Sequence, residues 1–356
     1  ASGRVGVNVI SDYPCDWAAP VLFLRSDSGC LWMNGRHGYE PGVGRSPDGG
    51  PALVDRDERE DSLRGGRRKA LFKTHGPLSA PEDRHLLIER PALRQALRTA
   101  QQPSVTQYIA LLSARQTGKT TFLLQLMDRL RDAYACVFVD LAMLRAQDAY
   151  TAFRLLASRL ANALGAMLGS GYPLPETSHI QNPVEFLEFL EALARATPMS
   201  RILLLIDEVG ALAPDAADIF FNALRSVFTQ GRSGNGFLAK YLFVFSGAVD
   251  LYGLTSGTTS PLNICEKLYL EDFSVADVRR LLALFGHLRV PVAKDAAERV
   301  YAHTEGHPYL TMRLCAQMEA SGVSQVSARL SRRPWRRYSS KTITSATSSA
   351  NWSATR

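Results

Sequence analysis

The stretch "LLSARQTGKTTFLLQLM", residues 111–127, joins the end of an apolar run to a helix-period segment through a loop of small and polar residues. A phosphate-binding loop follows the pattern G-x-x-x-x-G-K-[ST]; here it reads S-A-R-Q-T-G-K-T, lacking only the first glycine. Between a strand and a helix, N–H groups of such a loop and of the first helical turn converge where the helix dipole also favours an anion. Gly118 lets the backbone pass close to phosphates, Lys119 can reach β- and γ-phosphate oxygens, and Thr120 offers a hydroxyl to Mg²⁺. Thr121 is a further phosphate candidate, and Ser113, Ala114, Arg115, Gln116 and Thr117 complete the loop. The missing glycine serves the turn out of the strand, so Ser113 is expected to strain that turn modestly without abolishing the site. The competing reading is a chance match in a basic loop.

The flanks argue for the loop. Upstream, "LLIERPALRQALRTA" has helical spacing, with Pro91 suited to a first turn, and "YIALLS" (108–113) is a short buried-strand run. Downstream, "CVFVDL" (136–141), "RILLLIDE" (201–208), "YLFVFSG" (241–247) and "KLYLEDF" (267–273) are further strand candidates. "YTAFRLLASRLANALGAML" and "VEFLEFLEALARA" read as amphipathic helices between them. Apolar strands alternating with helices imply an α/β fold, a mainly parallel sheet covered on both faces. After residue 273 the pattern turns helical: Ser274 caps "SVADVRRLLALFG", Gly286 is placed to end it, and "KDAAERVYAHT" and "PYLTMRLCAQMEA" follow. The expected organisation is an unassigned, flexible extension (1–70), an α/β domain (71–273), a small helical subdomain (274–320) and a flexible tail (321–356). Within the extension, the run "PVLFLR" could form a strand.

A second motif supports the first. "RILLLIDEVGAL" places Asp207 and Glu208 at the C-terminal end of an apolar strand, where ligands of open α/β sheets gather. Asp207 would hold Mg²⁺ through water, and Glu208 would orient or deprotonate an attacking water; alternatively Glu208 only begins a solvated loop. Ser246, ending "YLFVFS", could contact a γ-phosphate or that water, or simply serve a turn.

Composition narrows the remainder. Hydrophobic residues make up 46% of the chain, enough for a sizeable core. The net charge of +7 equals the sum of Arg329, Arg332, Arg333, Arg336, Arg337, Lys341 and Arg356, so the basic character lies in the tail and not on a core face. Cys15, Cys30, Cys136, Cys265 and Cys315 show no CxxC pairing, which fits a reducing compartment. With no membrane-spanning run and no basic-then-apolar leader, the expected location is cytoplasmic, with no membrane partner. The chain opens with Ala, which fits a fragment or a processed form.

Together these motifs resemble the P-loop ATPases of the AAA+ and STAND type, and more closely the bacterial AAA-like domain proteins, over residues 72–320. "FKTHGPLSAPEDRHLLIERPALRQAL" is similar to the family's leading segment, whose arginine-containing helix start helps enclose the base. "SARQTGKTTFL" resembles its phosphate loop, which often lacks the first glycine, "LLLIDEVGAL" its Mg²⁺ and catalytic strand, and "FSGAVDLYGL…SPLNICEKLYLEDFS" its sensor strand. The resemblance implies a P-loop NTPase fold with a helical lid and the cofactors ATP and Mg²⁺. It assigns Gly118, Lys119, Thr120 and Thr121 to phosphate and metal. It also places Gly306 and Pro308, in "EGHPYL", where STAND ATPases hold a glycine-x-proline element against the nucleotide; a simple helix start with Pro308 in its first turn is the alternative.

The departures concern arginines. Pro308 and Tyr309 stand near the usual sensor arginine, with Arg313 a turn later; the sensor strand ends in "FSG", and Arg225 and Arg232 give no assignable finger. Slow turnover is the consequence, which suits a switch acting on a protein effector or on copies of itself. Two other functions remain open at this point. One is a DNA-associated ATPase anchored by the tail, where Trp335 and Tyr338 could stack on bases. The other is a nucleotide-binding scaffold that never hydrolyses.

Overall fold

The structure is a computed structural model and describes residues 24–26, 29–31, 70–145, 148–169, 174–247 and 263–326. A short antiparallel pair, β1 (Leu24–Ser26) and β2 (Gly29–Leu31), takes Leu24 and Arg25 from "PVLFLR". Most of the expected N-terminal extension and the basic tail from residue 327 lie outside the described residues. Two compact units follow: His75–Glu271, and Ala70–Thr74 with the chain from Asp272.

The first unit is built on a five-stranded sheet. Its strands are β3 (Tyr108–Leu112), β4 (Ala135–Asp140), β5 (Ile202–Asp207), β6 (Tyr241–Gly247) and β7 (Cys265–Tyr269), in the order β4-β5-β6-β3-β7. Every pairing is parallel. Strands β3, β5 and β6 are buried at every residue, which requires cover on both faces and explains why they read as continuous apolar runs. The edge strand β4 instead alternates buried and half-buried positions. From β3 the chain steps out to β4, returns through β5 and β6, and then crosses to β7 on the other side of β3. This reversal opens a crevice at the carboxyl ends of the central strands.

The helices of this unit are α1 (Pro91–Ala100), α2 (Lys119–Leu130), α3 (Ala149–Leu168), α4 (Pro183–Ala196) and α5 (Pro214–Arg232). Caps set several of the starts: Asp148 accepts from the Thr151 N–H before α3, and Asn182 accepts from the Val184 and Glu185 N–H groups before α4. Helix α5 is absent from the sequence-based assignment, although Pro214 in its first turn and buried Ala217, Phe220, Phe221, Leu224 and Val227 carry the helical period. Aromatic rings lock these helices together. Phe153 of α3 stacks on Phe186 of α4 at 4.8 Å and on Phe220 of α5 at 5.6 Å, while Phe221 meets Phe245 of β6 edge-on at 5.7 Å. Each such pair adds about 0.5–1.5 kcal/mol beyond burial.

The second unit holds α6 (Val275–Ala283), α7 (Ala296–Thr304) and α8 (Pro308–Ala320). Gly286 does not end α6; it lies inside a 3-10 turn, Leu284–Leu288, that closes at Arg289 in the left-handed conformation. Residues 71–74, expected with the α/β domain, cluster with this unit. The Glu319 carboxylate accepts from the Leu71 and Phe72 N–H groups at 2.7 and 3.0 Å, and the Phe72 ring lies 5.1 Å from that of Phe285. No helix among the described residues is long and apolar enough to cross a membrane. The described cysteines Cys136, Cys265 and Cys315 are free, and burial pushes the Cys136 and Cys315 thiols up to about 12. Such thiols are poor nucleophiles.

Candidate functional site

Strand β3 delivers the chain into the loop 113–118, and α2 begins at its far end. Gly118 precedes the helix with φ 91°, a left-handed conformation, and no side chain caps the first turn. Its N–H groups are thus free to face an anion. Ser113 does not carry the strain expected of it: the left-handed residues of the loop are Gln116 (φ 61°) and Gly118, not Ser113. The Ser113 hydroxyl instead lies 2.6 Å from the Thr117 hydroxyl and donates to the Leu270 carbonyl at 3.2 Å. A side chain that glycine lacks thus ties the loop's first residue both to its own far end and to the chain after β7.

Within the loop, Thr117 Oγ1 donates to the Ala114 carbonyl at 2.9 Å, while Ala114, Arg115 and Gln116 are exposed. Lys119 is buried, and its Nζ donates to the Ala114 carbonyl at 2.6 Å. Desolvation lowers its pKa; Glu208 and Asp207 act to raise it, and Arg115 to lower it. An ammonium whose charged form is disfavoured by burial gains most from an arriving anion. Thr120 Oγ1 donates to Asp207 Oδ2 at 2.5 Å, so the two expected metal residues, 87 positions apart in sequence, already touch.

Asp207 ends β5 and is 3% exposed; its Oδ1 accepts from the Glu208 N–H at 3.0 Å. Glu208 is exposed and left-handed, φ 52°, an uncommon conformation for a non-glycine residue. Ser246 pairs in register with Leu111 of β3 and is fully buried, and its hydroxyl has no hydrogen-bond partner. A buried unpartnered hydroxyl is costly, and it is the orphaned group of this end of the sheet. Next to it, a Cβ on Gly247 would stand 2.9 Å from Val209 Cγ2, so glycine lets β6 press against the turn after Glu208.

Thr121 has a partner other than the one expected. Its Oγ1 accepts from the Leu78 N–H at 3.0 Å and pins the leading segment against the start of α2. Gly306 and Pro308 lie in the second unit with local reasons to be there. Gly306 has φ 78°, and a Cβ on it would stand 2.0 Å from the Phe273 carbonyl oxygen; Pro308 occupies the first turn of α8.

Two residues that the motifs did not single out also belong to the site. Arg90 donates from Nη2 to the Thr117 carbonyl at 2.8 Å and from Nη1 to the Glu271 carbonyl at 2.9 Å, bracing the loop from the start of α1. Asp140 ends β4 directly opposite Asp207. Desolvation pushes its pKa up, the Ala142 N–H bond opposes this, and the Asp207 charge adds to it. The position of "VD" at the end of its strand was the available signal for Asp140; for Arg90 only the resemblance offered one.

The arrangement fits Mg²⁺ with a nucleotide. One carboxylate and one hydroxyl converge beside a lysine and an open helix terminus, and Mg²⁺ is commonly held by one or two carboxylates, waters and phosphate oxygens. Among the described residues no cluster of three His, Cys, Asp or Glu forms an all-protein metal cage. Thr120 and Asp207 would hold the metal, whose positive charge would neutralise charge developing on the phosphates.

The structure is similar to that of a Walker-type ATPase of Pyrococcus abyssi, with a TM-score of 0.56 and 16% identity over 71% of this chain and 73% of that one. It is also similar to Cdc6p of Pyrobaculum aerophilum, with a TM-score of 0.49 and 16% identity over 72% and 67%. At these identities the first likeness establishes the fold. No curated protein matches in sequence. The family model for AAA-like domains matches residues 76–327, most of the chain and all of the site described above. The chain therefore belongs to the AAA-like domain family, P-loop ATPases of AAA+ type.

Proposed function

We propose that the protein binds ATP with Mg²⁺, hydrolyses it slowly and uses the cycle as a cytoplasmic regulatory switch for a protein effector. The observation that carries the reading is the Thr120–Asp207 contact beside the uncapped start of α2, with Lys119 buried at the same place. Lys119 exchanges its loop carbonyl for β- and γ-phosphate oxygens, and the N–H groups of residues 116–121 cradle the phosphates. Thr120 and Asp207 hold the metal, Asp207 through water. Glu208 orients the attacking water and takes its proton, and Ser246 donates its unpaired hydroxyl to the γ-phosphate or to that water.

Slow turnover follows from the lack of an assigned arginine at the position of transition-state charge. In the switch, ATP draws the helical unit toward the nucleotide, with Gly306 and Pro308 against it, and hydrolysis releases it. Limited proteolysis of the full chain tests this. Saturating Mg·ATP is expected to slow cleavage after residue 272, and ADP to restore it; unchanged cleavage with ATP demonstrably bound would refute the switch. No observation favours tail-anchored DNA binding over this reading, since the basic tail lies outside the described residues.

A further inference from the structure

A second concave site lies at the opposite end of the same sheet. A cavity of about 450 Å³ opens beside Tyr108 and Tyr241, the first residues of β3 and β6, and Arg201, which precedes β5. Its size is within the range of small-molecule pockets. Arg201, Arg232 and Lys240 line it, and no carboxylate does.

All three cations are held by backbone carbonyls and not by acids. Arg201 donates to Ala100 and Pro103 at 2.6 and 3.2 Å, Arg232 to Thr106 at 3.0 Å, and Lys240 to Ala194 and Thr197 at 2.9 and 2.8 Å. Carbonyls at the C-terminal ends of α1 and α4 fix Arg201 and Lys240 and offset part of their charge, which leaves Arg232 as the cation most open to an anion. A concave wall carrying one sign of charge concentrates counter-ions. Arg232 is exposed and uses one donor on Thr106, so most of its five donors remain open.

Among the small and aliphatic residues of the wall stand three aromatic rings, Tyr108, Phe228 and Tyr241. Tyr108 lies edge-on to Phe228 at 5.0 Å, and the Arg232 guanidinium sits 5.6 Å above the Phe228 ring. The Tyr108 and Tyr241 rings are buried behind the wall, and Phe228 is its partly exposed ring. Charge and an apolar ring favour the same kind of occupant. We propose that this cavity binds a metabolite-sized organic anion, a phosphate or carboxylate carried on a planar apolar body. The occupant would sit about 20 Å from the phosphate loop, at the other ends of the strands that carry Ser113, Asp207 and Ser246.

Titration calorimetry on the full chain tests it, with phenyl phosphate and phthalate as probes and benzyl alcohol as the uncharged control. The parent and Lys119→Ala are expected to bind both anions saturably and the control not at all. Arg232→Glu is expected to weaken the anions by about tenfold or more, one charge-assisted contact. Ala239→Trp, which fills the cavity and leaves its charges in place, is expected to do the same; circular dichroism checks that both variants are folded. Loss of binding in Lys119→Ala would place the anion on the phosphate loop and overturn the proposal. So would equal binding by the parent and a folded Arg232→Glu or Ala239→Trp, or no saturable binding by the parent.

Discussion

Helices α2 and α6 begin in opposite ways. Before α6, Ser274 and Asp277 form a reciprocal capping box: the Ser274 N–H donates to Asp277 Oδ2 at 2.9 Å, and the Asp277 N–H donates to Ser274 Oγ at 3.2 Å. Before α2 stands Gly118, in a left-handed conformation and with nothing to offer the first-turn N–H groups. One terminus is satisfied by its own sequence, and the other is left for a ligand. The same contrast extends to the surroundings of α2. Gln116 and Glu208 are left-handed non-glycine residues, and Ser246 carries a buried hydroxyl with no partner. Around α2, these left-handed residues and the unmet hydroxyl stand where a ligand would relieve them.

The contrast can be broken in several ways, and the largest effect is expected at Glu208. Glu208→Gln should keep nucleotide binding and lower turnover by on the order of 10² to 10⁴, measured as phosphate release. If turnover is unchanged, the left-handed glutamate only begins a loop. Gly118→Ala is expected next: its Cβ would stand 3.3 Å from Arg90 Nη2 in a left-handed backbone, costing about 1–2 kcal/mol in denaturant unfolding. Nucleotide binding should weaken with it. Ser274→Ala should cost about 1 kcal/mol in the helical unit and leave nucleotide affinity unchanged. Equal effects of these two substitutions on affinity would erase the distinction between the termini.

The smallest effect is a proton. Burial holds the Lys119 pKa below its ordinary value in the folded chain. Between that depressed value and the ordinary one, the unfolded chain binds more protons, so stability of the nucleotide-free protein should rise with pH across the window. Phosphate oxygens at Nζ favour the charged form and push the pKa back up. ATP binding in that window should therefore take up a fraction of a proton, read by calorimetry in buffers of different ionisation enthalpy.

Much of this was legible in the sequence because it is local. Apolar runs mark β3, β5 and β6 since strands buried on both faces have no alternation to show, and the phosphate loop declares itself in eight consecutive residues. The bracing of the site was not legible. Arg90 reaches a carbonyl 181 residues away, Ser113 one 157 away, and the Leu78 N–H reaches Thr121 across a further 43. Only the folded chain brings such pairs together. Ser113 shows the cost of reading a motif by its absent glycine: the position needs no left-handed backbone, and a hydroxyl serves it. Gly286 shows the converse error. A glycine placed to end α6 continued into a 3-10 turn, and Arg289 took the left-handed position.

If the uncapped start of α2 is a working ATP site, calorimetric titration of Mg·ATP into the full chain shows saturable one-to-one binding by the parent. Binding is weakened on the order of 10-fold or more in a folded Lys119→Ala, as expected for a lost charge-assisted contact. Absence of binding by the folded parent, or equal affinity in Lys119→Ala, would contradict it.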